Sequence, residues 1–79
     1  MNQSQIFDQL AGVFREVFDS DEFDFSANLE RGALESWDSL GHIRLVSAIE
    51  ESFSVSFTMD EIELLTSTAK IAEVLQQKI

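Results

Sequence analysis

Apolar residues at Ile6, Phe7, Leu10, Val13, Phe14, Val17 and Phe18 recur three and four positions apart, the spacing that lines one face of an α-helix. The pattern predicts an amphipathic helix from about residue 3 to residue 18. Asn2, with Gln5 three residues on, has the form of an amino-terminal capping box, in which each side chain serves the other's backbone N–H. Gly12 weakens the middle of this helix by about 1 kcal/mol relative to alanine, unless a neighbouring element packs closely there.

Between Asp19 and Trp37 the periodicity fails, over a stretch that is long for a connection inside a compact domain. Phe23, Phe25, Leu29, Leu34 and Trp37 are spread along it, enough apolar area to fasten it across the ends of the helices. A short helical turn is expected around residues 29–34, broken at Gly32. Helical spacing returns from Ser39 to Phe53. At 100° per residue, His42, Leu45, Val46, Ile49 and Phe53 share one side, assigned to the core. Leu40, Ile43 and Ser47 lie on another, edged by Arg44, Glu50 and Glu51. Apolar residues ringed by charge on an exposed helix face suit a partner surface; packing of Leu40 and Ile43 under the preceding loop is the alternative.

Residues 54–57 alternate as a strand would, but no second strand exists to pair with them, so they read as extended loop. Thr58 with Glu61 makes a capping box for a short helix through Leu65, with Ile62 and Leu65 facing inward. Thr66 or Ser67 then caps a last helix to about Lys78. Ile71, Val74 and Leu75 form its inner stripe, Ala72 permits close approach, and Lys78 suits the negative carboxyl end. Three substantial helices, one short helix and a long first loop describe an all-α protein, a small four-helix bundle in a single domain spanning residues 1–79.

A chain of 79 residues buries roughly 60% of its surface and is marginally stable. With 44% hydrophobic residues and seven phenylalanines, it has core material that a disordered acidic tail lacks. Five basic against fifteen acidic residues give a formal charge of −10. That argues against binding nucleic acid or an anionic membrane and makes basic protein surfaces the expected complement. The absence of cysteine excludes a disulfide framework, a thiolate metal site and a thiol nucleophile. No apolar run approaches eighteen residues and no secretory signal pattern opens the chain, so a soluble cytoplasmic protein is expected.

Asp19, Asp21 and Glu30 fall at the first, third and twelfth positions of a calcium loop. Phe23 stands at the fifth, however, where a side-chain oxygen is needed, and Asp24 at the sixth, where the sharp turn needs glycine. A solvated acidic loop, with no metal site, is the better reading. Catalytic groups are scarce: one histidine, no cysteine, no tyrosine and no glycine-rich phosphate loop. A hydrolase built on Ser39, His42 and an acid fails because His42 follows by only three residues with its ring toward the core, and nothing supplies an oxyanion hole. No catalytic site is expected.

Ser39 lies within Trp37-Asp38-Ser39-Leu40-Gly41-His42, where the irregular acidic segment gives way to helical spacing. It sits at or near a helix amino terminus, where backbone N–H groups lack partners and the dipole is positive. A phosphate attached there is well placed; serine is also among the commonest plain helix caps. At these residues the chain resembles the acyl carrier protein family, small helical carriers that bear a phosphopantetheine arm on the serine of an Asp-Ser-Leu motif. Leu45, Ile49, Glu50, Glu51 and Phe53 follow with the family's spacing, and the likeness runs from the first helix to Leu75.

The resemblance implies a four-helix fold and an arm attached to Ser39, delivered from coenzyme A by a phosphopantetheinyl transferase. It implies an acyl group held as a thioester on the arm, with the carrier performing no catalysis of its own. It also implies acyl-loading and acyl-accepting enzymes whose basic patches meet the second helix. Asp38, Glu50 and Glu51 keep the matching acidic positions, and Leu40 and Ile43 are candidates for apolar contact. A monomer that binds neither nucleic acid nor membrane fits this picture. Three departures stand out. Arg44 replaces a usual acid, Gly41-His42 replaces more acidic or hydroxylated residues, and Val55-Ser56-Phe57-Thr58 lacks the proline common before the third helix. They count against housekeeping fatty-acid synthesis, and Trp37-Asp38-Ser39-Leu40-Gly41-His42 more closely resembles the discrete carriers of specialised pathways, such as polyketide or related secondary-metabolite assembly. A peptidyl or aminoacyl carrier is a near alternative. An unmodified acidic adaptor, with Ser39 only a cap, is a distant one.

Overall fold

The computed structural model describes residues 2–19 and 23–79. Its helices are α1 (Gln3–Val17), α2 (Ser39–Phe53), α3 (Met59–Leu64) and α4 (Thr68–Lys78), with a 3₁₀ turn at Arg31–Ala33 in the long first connection. This is the all-α, four-helix arrangement that the apolar spacing predicts. Both capping boxes form. Asn2 and Gln5 exchange hydrogen bonds of 2.9 Å, and Thr58 and Glu61 exchange bonds of 2.8 and 3.2 Å. Ser67 rather than Thr66 caps α4, accepting from the Lys70 N–H.

The core forms where the stripes meet. Ile6, Leu10, Val13 and Phe14 of α1 pack with Leu45, Val46, Ile49 and Phe53 of α2 and with Ile71, Ala72 and Leu75 of α4. α1 touches both α2 and α4. Val74 is only half-buried and Ala72 fully so, because the small side chain lets α4 approach. No residue within α3 is fully buried; Leu65, just past its end, carries the inward contact with no exposure at all.

The long connection is fastened as expected, but more by polar joints than its dispersed apolar residues suggest. Leu34 and Trp37 are buried, while Phe23, Phe25 and Leu29 are half-buried against the core. Phe25 meets Phe14 edge-on at 5.3 Å between ring centres. Buried polar groups need partners, and Thr68 supplies them. Its hydroxyl donates to the Ser26 carbonyl at 2.7 Å and accepts from the Leu29 N–H at 3.0 Å. The backbones then pair directly, Thr68 N–H to Leu29 and Arg31 N–H to Thr66, both at 2.9 Å. The expected break at Gly32 does not occur. Gly32 lies inside the 3₁₀ turn, where one turn of helix tolerates a glycine and a side chain would meet nothing within 4 Å.

Asp21 of the calcium-loop pattern lies outside the described residues. Among those described, no group of three metal-ligating side chains comes together, and no helix is long and apolar enough to cross a membrane.

Candidate functional site

α2 starts at Ser39 because Asp38 closes its first turn. The Asp38 carboxylate accepts the Gly41 N–H at 2.9 Å, satisfying one of the amides that a helix start leaves open, and its carbonyl accepts the first intrahelical bond, from the His42 N–H at 2.8 Å. Its negative charge also suits the positive end of the dipole. The capping role considered for Ser39 therefore falls to Asp38. Ser39 is the first helical residue, exposed, and among the described residues no hydrogen bond holds its hydroxyl.

On the inner side the same turn is tightly held. Gly41 is buried, and a Cβ there would collide with the Ser36 carbonyl oxygen and crowd the Phe18 ring at 3.3 Å. Glycine is thus required by the close passage of the incoming loop. His42 is buried as well. Its Nδ1 lies 3.0 Å from Trp37 Nε1 and its Nε2 lies 2.9 Å from the Ile62 carbonyl oxygen. Indole N–H only donates and a carbonyl only accepts, so Nδ1 accepts and Nε2 carries the proton. The imidazole is neutral, with both nitrogens engaged, and the Trp37 ring is nearly parallel to it at 17°. His42 has no nitrogen left to take a proton from Ser39. Instead it joins the loop, α2 and α3 in one chain of hydrogen bonds.

The outer side is open. Leu40 is 68% exposed and Ile43 62%, so neither packs under the loop. Met59 at the start of α3 is exposed as well. The other residues expected to meet partners take separate places. Asp38 caps the helix. Glu50 is half-buried, its carboxylate accepting the Phe57 N–H at 2.8 Å. Glu51 is exposed and lines a groove shared with α1.

α3 is held to the bundle by a clamp at the far end of α4. Lys78 Nζ lies 3.0 Å from Glu61 Oε1 and 5.7 Å from the centre of the Phe57 ring, a cation–π arrangement. The Thr58 backbone N–H and, after it, the Lys78 side chain hold the Glu61 carboxyl below its ordinary value. Sequence reading placed Lys78 only against the helix dipole and found no role for Thr68 or for Gly41. The one available signal was a single histidine one turn into a helix, five residues after the single tryptophan.

No protein-family model matches this chain, and no curated protein matches it in sequence. A solved structure does: the solution NMR structure of a holo acyl carrier protein from Geobacter metallireducens is similar, at 27% identity and a TM-score of 0.82 over 92% of this chain and 84% of that one. The resemblance carried by Asp38-Ser39-Leu40 and the spacing behind it is therefore matched by a shared fold.

Proposed function

Because this chain has the fold of the acyl carrier protein family, we propose that it is an acyl carrier whose phosphopantetheine arm is attached to Ser39. The observation that carries the reading is the state of Ser39: first residue of α2, exposed, with its hydroxyl unbonded because Asp38 does the capping. Those features fit the group. A phosphodiester on that oxygen would stand at the positive end of α2, and a transferase could reach it without unfolding anything. When attached, the arm supplies a thiol that holds an acyl group as a thioester.

The chain's own residues present that end. Gly41, His42 and Trp37 fix the first turn from inside, while Leu40 and Ile43 offer an apolar lip beside the serine. Asp38 and the −10 charge attract basic patches on the transferase and on acyl-loading and acyl-accepting enzymes, which speeds encounter more than it tightens binding. The acyl cargo belongs to fatty-acid, polyketide or related biosynthesis, in the cytoplasm, with the carrier a monomer. Gly41 and His42, departures from the fatty-acid carrier pattern, are used here to pack the loop; the preference for a specialised pathway rests on the resemblance of Trp37-Asp38-Ser39-Leu40-Gly41-His42 alone.

The test is intact-mass measurement after incubation with coenzyme A and a promiscuous phosphopantetheinyl transferase proven on a control carrier. One added arm on the parent and none on Ser39→Ala is expected. An unmodified parent, or a Ser39→Ala variant that still gains the arm, overturns the assignment.

A further inference from the structure

α1 and α2 do not close against each other along their whole length. An open groove of about 640 Å³ runs between them, away from Ser39. Its floor is small and apolar: Gly12 and Val13 from α1, Ala48 from α2. At one end Gln9 Nε2 donates to the Ser52 carbonyl at 2.8 Å and to its hydroxyl at 2.9 Å, which holds the two walls at a set separation.

Gly12 stands out on this floor. A mid-helix glycine weakens α1 by about 1 kcal/mol relative to alanine, and such a residue usually admits a close neighbour. Here nothing lies within 4 Å of where its Cβ would be. The space above it is used by no part of the described chain. The rim is anionic. Asp8, Glu16 and Glu51 line the groove and are exposed, and none has an ion pair or a side-chain hydrogen bond within the described residues. The ion pairs that do form, Lys70–Glu73 and Lys78–Glu61, lie elsewhere.

We propose that this groove docks a basic amphipathic helix of a partner protein. Asp8 and Glu16 are eight residues apart, about 12 Å along α1. A docked helix with cations at positions i and i+7 or i+8 spans the same distance. Its residue at i+4 then falls over Gly12, where an apolar side chain fills the floor, and a cation at i+3 reaches across to Glu51. Charge complementarity selects this occupant: the rim repels nucleic acid and anionic lipid and leaves a cationic protein surface as its match. Ala48 and Ser52 lie nine and thirteen residues beyond Ser39, about 14 to 20 Å along α2. A helix seated there leaves Ser39 uncovered, so the carrier can stay tethered while its serine end is presented elsewhere.

The probe is a synthetic 15-residue helical peptide with arginine at i, i+3 and i+7 and leucine at i+4, compared with the same peptide carrying glutamine for arginine. Amide shifts on the full chain should cluster at Asp8, Gly12, Glu16, Ala48 and Ser52. The doubly substituted Asp8→Lys, Glu16→Lys protein should bind at least tenfold more weakly. Gly12→Leu should lose affinity to a similar degree while keeping its helical circular dichroism. Shifts confined to Leu40 and Ile43, or spread evenly over the acidic surface, overturn the proposal, as does undiminished binding by either variant. Arm attachment is measured on the same proteins and reports on Ser39 alone, so failure of the groove and failure of the carrier reading give different results.

Discussion

The two sides of the first turn of α2 are used by the fold to opposite degrees. Inside, Gly41 admits the loop carbonyl and His42 spends both ring nitrogens on Trp37 and the Ile62 carbonyl. Outside, within three residues of them, Ser39 has no bond to its hydroxyl among the described residues, and Leu40 and Ile43 stand in solvent. The difference teaches how a small, marginally stable domain can hold one hydroxyl in a defined place. The inner half of the turn carries the positional information, so the outer half is free of structural duty.

Substitutions should separate the two sides, and the largest effect is expected at Gly41. Gly41→Ala forces a methyl into a backbone carbonyl and should destabilise by about 3 kcal/mol, the upper end for overpacking, read from the urea midpoint. Trp37→Phe keeps an aromatic ring but removes the indole donor, leaving His42 Nδ1 buried without a partner. A loss of about 2 kcal/mol is expected, and a variant as stable as the parent would show that the hydrogen bond contributes little. Asp38→Ala should cost about 1 kcal/mol as a lost cap, whereas Ser39→Ala should change stability by less than about 0.5 kcal/mol. Equal effects at these neighbours would erase the contrast.

Two modest effects lie further from the turn. Ser54 ends α2 in the left-handed region, with φ of 55°, a conformation that favours glycine. Ser54→Gly should raise stability by about 0.5 to 1 kcal/mol, visible as a higher melting temperature. The clamp on α3 depends on an ionised Glu61. Its carboxyl is depressed below the ordinary value of 4.5, so its contribution is present above that value and fades as pH falls through the lower folded one. Lys78→Met should flatten the acid limb of a stability profile slightly. The pair is partly exposed, so salt should shrink the difference.

Most of the helical frame was legible because it rests on periodicity and local caps. The apolar stripes placed α1, α2 and α4, and the pairs Asn2 with Gln5 and Thr58 with Glu61 fixed two starts to the residue. What stayed hidden depends on contacts between distant parts of the chain. Thr68 is buried because it satisfies the loop at Ser26 and Leu29, some forty residues away, and nothing in its own neighbourhood announces that. Gly41 looked like a departure from a family pattern until the passage of Ser36 gave it a steric cause. At the candidate site, helix geometry put Leu40 and Ile43 on the face away from the core but left packing under the loop open, and the capping of α2 by Asp38 in place of Ser39 depends on side-chain direction, which spacing does not carry.

The proposed function requires that the unbonded Ser39 hydroxyl, and no other, receives the arm. It is tested most directly by fragment-ion mapping of the parent protein after transferase and coenzyme A treatment, because Ser36 and Ser47 lie close by in sequence. The whole mass addition is expected on Ser39, with Ser36 and Ser47 unmodified. Addition at either of those serines, or none at all with a transferase active on a control carrier, would contradict it.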